Sequence, residues 1–147
     1  MKKGISLMEM LIVIAIIGIL AAVMAPSLSD YMPGVQLNGS ARVLSGNLRE
    51  TQEKAVTEQQ KYLIRFFPNE SPAYYQTITI VGNEPEVVIK KVNLPTSVAI
   101  TIGTGIIDNQ ISFSPDGGPS SSGDITLSIN GSQKVINVSP AGFIKIK

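Results

Sequence analysis

Between Met10 and Ala25 there is not one polar side chain, and this run constrains the chain more than any other feature. Extended to Ile5–Ala25 it covers 21 residues, of which 19 are apolar or glycine and the exceptions are Ser6 and Glu9. As a helix it spans roughly 31 Å, the hydrocarbon thickness of a bilayer. Lys2 and Lys3 precede it. The excess of positive charge places Met1 in the cytoplasm and the rest of the chain outside it. Pro26 has no N–H to give the helix and predicts a kink or stop near the outer membrane face.

Glu9 breaks the apolar pattern. A carboxylate at the centre of a membrane helix costs about 2.5–3.5 kcal/mol and less near an end, so a residue of this kind calls for a partner or an interface. Two ordinary readings compete for the segment. A secretory signal peptide has an apolar stretch of about 7–15 residues before a small-residue cleavage site. Val23-Met24-Ala25 offers such a site, but the stretch here is longer, Glu9 interrupts it, and Pro26 would follow the cut. A plain signal anchor accounts for the length and not for the spacing of Gly4 and Glu9.

Lys2-Lys3-Gly4, Ile5-Ser6-Leu7-Met8-Glu9 and the run from Met10 to Ala22 together resemble the leader of type IV prepilins and pseudopilins. The resemblance implies that a membrane-bound prepilin peptidase cuts between Gly4 and Ile5 and N-methylates Ile5, where the family usually has phenylalanine. It implies that Glu9 pairs with the free N-terminal amine of a neighbouring subunit, and that Pro26 is the proline following the membrane part of a long helix. A paired carboxylate and ammonium are far less costly in an apolar medium than either alone.

Beyond Pro26 the pattern changes. Leu37, Ala41, Leu44, Leu48, Thr51, Ala55 and Gln59 step by three or four, predicting a helix from Val35 to about Gln60 after a break at Pro33-Gly34. From Lys61 the period is two. Tyr62, Ile64 and Phe66 alternate with Lys61, Leu63 and Arg65. Further strands are expected at 74–80, 87–92, 97–102, 111–113, 125–129, 134–138 and 143–146, divided by turn-forming stretches. Asn130-Gly131 is the strongest hairpin signal, and Gly117–Gly123 is expected to be a flexible loop. The expected organisation is a leader at 1–4, a transmembrane or filament-core helix at 5–25, an amphipathic continuation at 26–60, and an antiparallel β domain at 61–147.

A narrower resemblance follows from Leu48–Ala55, Lys61–Phe66, Leu94-Pro95, Ile111–Gly117 and Val138–Gly142, which are similar in kind and order to FimT/GspH minor pilins and pseudopilins. It implies an α+β fold, a long N-terminal helix packed on antiparallel sheets. The implied partners are prepilin peptidase, other pilin or pseudopilin subunits and the inner membrane. The implied location is a single-pass membrane protein that enters a filament, in a type IV pilus or a type II secretion pseudopilus. Some FimT proteins bind DNA through a C-terminal Gly-Arg-x-Arg segment. Here Gly142-Phe143-Ile144-Lys145 occupies it, followed by Ile146 and Lys147, so Lys145 and Lys147 are the candidate DNA contacts.

Composition excludes several chemistries. The chain has no cysteine and no histidine, which removes disulfides, the usual zinc ligands and the common nucleophile–base pairs. Asp108, Asp116 and Asp124 lack the spacing of a calcium loop. Four Asn-x-Ser sequons, at Asn38, Asn69, Asn130 and Asn137, read as turn residues. Without Lys2 and Lys3, ten basic side chains face eleven acidic ones. That near-balance gives no general attraction to nucleic acid. No cofactor is implied and the expectation is a structural protein, not an enzyme.

Overall fold

The computed structural model describes residues 6–82 and 85–147, with side chains described outside positions 24–30. One long helix, α1 (Leu7–Glu58), precedes eight strands: β1 (Lys61–Phe67), β2 (Tyr74–Ile80), β3 (Val87–Asn93), β4 (Ala99–Ile102), β5 (Gln110–Phe113), β6 (Gly123–Ile129), β7 (Ser132–Val138) and β8 (Ile144–Ile146). A short 3₁₀ turn, Ile107–Asn109, leads into β5. Residue contacts divide the chain into two units, Met1–Pro33 and Gly34–Lys147.

In the first unit α1 begins after Ser6, whose carbonyl accepts from the Glu9 N–H at 3.0 Å and the Met10 N–H at 3.2 Å. All described side chains from Ser6 to Val23 are exposed. An apolar surface all round a helix belongs in lipid or among other helices. Among the described residues no helix is long and apolar enough to cross a membrane; the apolar stretch with described side chains, Leu7–Val23, rises about 26 Å.

In the second unit the three-and-four spacing carries the core. Leu37, Ala41, Leu44, Leu48, Thr51 and Ala55 are all buried. Gln59, expected on the same stripe, lies beyond the helix end at φ 52°. It is exposed, its Nε2 donating to the Val56 carbonyl at 2.7 Å. Two four-stranded antiparallel sheets, ordered β3-β2-β1-β5 and β4-β6-β7-β8, share one hydrophobic core with the helix. The β1–β2 register sets Tyr62 opposite Thr79, Ile64 opposite Thr77 and Phe66 opposite Tyr75. These residues form the inward face, and all six are buried.

Leu63 departs from the alternation. It belongs to the outward set with Lys61 and Arg65, yet it is buried, opposite Ile78, and neither belongs to the main core. Arg65 shares that face and reaches sideways to Gln110 (3.1 Å) and to Glu86 (2.8 Å). Its charge is thereby paired with the Glu86 carboxylate.

The expected break at Pro33-Gly34 does not occur, and at Pro26 the helix is not stopped: α1 is continuous through positions 26 and 33–34. Each proline forfeits one N–H bond, and the neighbouring turns carry the helix past it. The Asn130-Gly131 turn forms as expected, with φ of 46° and 81° joining Ile129 to Ser132. The loop after Gly117 is tied back to β5, since Ser120 and Ser112 bond through N–H to carbonyl at 2.7 Å and Ser121 Oγ donates to the Gln110 carbonyl at 3.2 Å. Two sequon residues are not in turns: Asn38 is helical and Asn137 lies in β7.

Candidate functional site

Of the residues expected to direct processing and assembly, Glu9 alone has a described side chain. Gly4 and Ile5 lie outside the described residues, and the side chain of Pro26 does too. Glu9 is described: it stands in the first helical turn and is exposed. The spacing Ser6-Leu7-Met8-Glu9 is that of a capping box. An acid here also faces the positive end of the helix dipole.

The motifs scattered through the C-terminal unit meet around the last turns of α1. Ser114-Pro115-Asp116-Gly117 and Ser139-Pro140-Ala141-Gly142 fold as the same turn. In the first, the Ser114 N–H donates to the Gly118 carbonyl at 3.0 Å and the Gly117 N–H to the Ser114 carbonyl at 2.8 Å. In the second, the Ser139 N–H donates to the Phe143 carbonyl and the Gly142 N–H to the Ser139 carbonyl, both at 2.9 Å. Gly117 and Gly142 take φ of 84° and 81°, a region that glycine enters without a steric penalty.

One helix side chain joins the two turns. Gln52 Nε2 donates to the Gly117 carbonyl at 2.8 Å and to the Gly142 carbonyl at 3.2 Å. One turn earlier, Arg49 Nη2 donates to the Ile144 carbonyl at 2.9 Å. The ends of both sheets are thus fastened to one helix face through backbone acceptors. Beside them opens a cavity of about 530 Å³, lined by Arg49, Glu53, Val56, Asp116, Pro140 and Ala141 among others.

A second polar chain crosses the core. Lys90 Nζ donates to Asn47 Oδ1 at 2.9 Å, Asn47 Nδ2 donates to Tyr75 Oη at 2.6 Å, and Thr51 Oγ1 donates to the Asn47 carbonyl at 2.7 Å. Burial pushes the Tyr75 phenol above its ordinary value, the Asn47 bond acting the other way. Lys145 and Lys147 are exposed at the end of the chain, and Lys145 is opposite Asn137 on β7.

Sequence reasoning had the two Ser-Pro-x-Gly segments and the Arg49–Gln52 stretch as separate motifs. The signal for joining them was their repetition, with a polar helix residue lying just off the apolar stripe.

Residues 40–142 match the family described as type II transport protein GspH, and residues 1–25 match the prokaryotic N-terminal methylation motif. The chain belongs to the GspH family. The minor pseudopilin EpsH of the Vibrio cholerae type 2 secretion system superimposes with a TM-score of 0.67 at 11% identity, over 76% of this chain and 96% of that one. The type IV minor pilin FimU of Pseudomonas aeruginosa gives 0.65 at 13%, over 80% and 92%. At these identities the likeness is one of fold, and it bears out the helix on antiparallel sheets. The type IV major pilin protein PilE1 of Neisseria gonorrhoeae is 45% identical over 95 residues, 56% of this chain and 41% of its own. A fimbrial protein of Pseudomonas aeruginosa is 34% identical over 70 residues, 48% of this chain and 45% of its own. This GspH-family chain therefore spans less than half the length of these curated relatives.

Proposed function

We propose that this protein is a minor pilin or pseudopilin: a filament subunit cut by a prepilin peptidase between Gly4 and Ile5, methylated at Ile5, and assembled through α1. One observation carries the reading. From Leu7 to Val23 the helix exposes apolar side chains on every side, with Glu9 its one charge. Such a surface is stable in a bilayer before assembly and among other helices after it. Glu9 then takes the terminal amine of a neighbour, and matching of those charges sets the axial register. The C-terminal unit stands outside the cytoplasm, and Pro26 marks where the helix leaves the membrane.

The testing experiment is intact mass and N-terminal sequencing of the protein made with and without a prepilin peptidase. A peptidase-dependent product starting at Ile5 and carrying one methyl group is the expected result. A chain that keeps Met1 beside active peptidase, or one starting at Pro26, overturns it.

DNA binding is the second reading. Phe143, Lys145 and Lys147 are exposed and step by two at an edge strand, a pattern that sets an aromatic ring beside two phosphate contacts. Charge reversal of both lysines would then lower affinity and flatten its salt dependence.

A further inference from the structure

We propose that Asn130-Gly131 is a self-modifying site: the Gly131 backbone nitrogen attacks the Asn130 side-chain amide, and the hairpin tip passes through a cyclic imide to an aspartyl or isoaspartyl link. The inference is independent of the filament-subunit reading.

The same tripeptide, Asn-Gly-Ser, occurs at 38–40 and again at 130–132, and a related pair, Asp116-Gly117, lies between them. Glycine follows the acyl side chain each time, so no side chain shields the attacking nitrogen and the covalent chemistry is shared. What differs is how the fold holds that nitrogen. Asn38 and Gly39 lie inside α1, where the backbone N–H belongs to the helical ladder and the dihedrals are fixed. The Gly117 N–H donates to the Ser114 carbonyl at 2.8 Å, and the Gly117 carbonyl accepts from Gln52 at 2.8 Å. The Gly131 N–H makes no backbone hydrogen bond among the described residues. Asn130 and Gly131 are both exposed, and a Cβ built on Gly131 would meet nothing within 4 Å. Asn130 also holds φ 46°, a left-handed region that a residue with a Cβ enters at a cost. The tip of a two-residue loop opens more readily than a helix interior, and opening lets the side chain swing over the free nitrogen.

The step balances with water as its one co-reactant. Gly131 gives up its N–H proton, its nitrogen bonds to Asn130 Cγ, and the Cγ–Nδ2 bond breaks with ammonia as the leaving group. Water then opens the ring. Cleavage on the Cγ side leaves an aspartyl link, and cleavage at the main-chain carbonyl leaves an isoaspartyl link with an added methylene in the backbone. Either product puts a carboxylate where the chain had a neutral amide. The isoaspartyl link also lengthens a loop whose length sets the β6–β7 register, loosening the pairing of buried Ile129 with Ser132.

The full chain in detergent micelles is held in mildly alkaline buffer made with heavy-oxygen water, and peptide mapping by mass spectrometry follows positions 38, 116 and 130 with time. Label is expected at position 130 in two separable products, at a rate roughly tenfold or more above that at position 38, because the two sites differ in local opening. In urea the two Asn-Gly-Ser sites are expected to react alike. Equal rates at 38 and 130 in the folded chain, or a position 130 that stays unlabelled when folded yet reacts in urea, overturns the proposal. So does an aspartyl product without its isoaspartyl partner, or a preference for position 130 that persists in urea.

Discussion

Gln52 leaves no room for a side chain at Gly142: a Cβ built there would lie 2.6 Å from the Gln52 Nε2. The same atom is bonded to the carbonyls of Gly117 and Gly142, so the amide cannot withdraw without releasing both turns. Gly142→Ala is expected to destabilise the C-terminal unit by about 1–3 kcal/mol, combining the positive φ with this close approach. Urea denaturation of the variant measures it. A change within a few tenths of a kcal/mol would remove the clasp as a stabilising feature.

Gln52→Leu keeps the volume and removes the donor. Two backbone acceptors then lose their side-chain partner, for a cost of about 1–3 kcal/mol. Amide exchange is expected to quicken at both Ser-Pro-x-Gly turns together, since a single atom holds them. Quickening in one turn alone would contradict the shared tie.

Leu48 is fully buried between the helix and the sheets. Leu48→Ala is expected to cost about 2–5 kcal/mol by lost transfer energy and the cavity it leaves. Val43, on the exposed side of the same helix, serves as the contrast, and Val43→Ala is expected to stay within about 0.5 kcal/mol in the unassembled protein. Thermal melts of the two variants separate core from surface.

The pH dependence has two opposite edges. The Lys54 hydrogen bond holds the Glu50 carboxyl below its ordinary value of 4.5, with Lys90 assisting against partial burial. Its folded pKa is depressed, so the contribution is present above pH 4.5 and is lost as pH falls through the folded value. Glu50 is about half exposed, which limits the effect to a few tenths of a kcal/mol. Tyr62 donates to the Glu58 carboxylate, and that bond, with burial, raises its phenol above 10.0. This contribution is present below pH 10 and is lost as pH rises through the raised value. Glu50→Gln should flatten the acid edge and Tyr62→Phe the alkaline one, in denaturation curves taken across pH.

Glu9→Ala is expected to leave expression and peptidase cleavage unchanged while sharply reducing recovery in the filament fraction. Placement in the first turn gives Glu9 a favourable site within its own helix, so the loss reports on a neighbour. Wild-type filament yield from Glu9→Ala would show that the carboxylate serves only its own helix.

What the sequence determined by itself was set by local periodicity. The apolar run with its single acid, the helical stripe from Leu37 to Ala55, the eight strand positions and the Asn130-Gly131 turn were all legible, because each depends on neighbours a few residues apart. Pro33 was the local signal that misled, since the loss of one N–H bond does not end a helix that continues for 25 residues beyond it, to Glu58. The tertiary structure alone decided the rest. Leu63 is buried on the outward face of its sheet, opposite Ile78, and no alternation encodes that. The meeting of Gln52 with Gly117 and Gly142 joins residues 65 and 90 positions apart. Such a bond exists only once two sheets have closed on one helix, because a backbone carbonyl presents no residue type for the sequence to display.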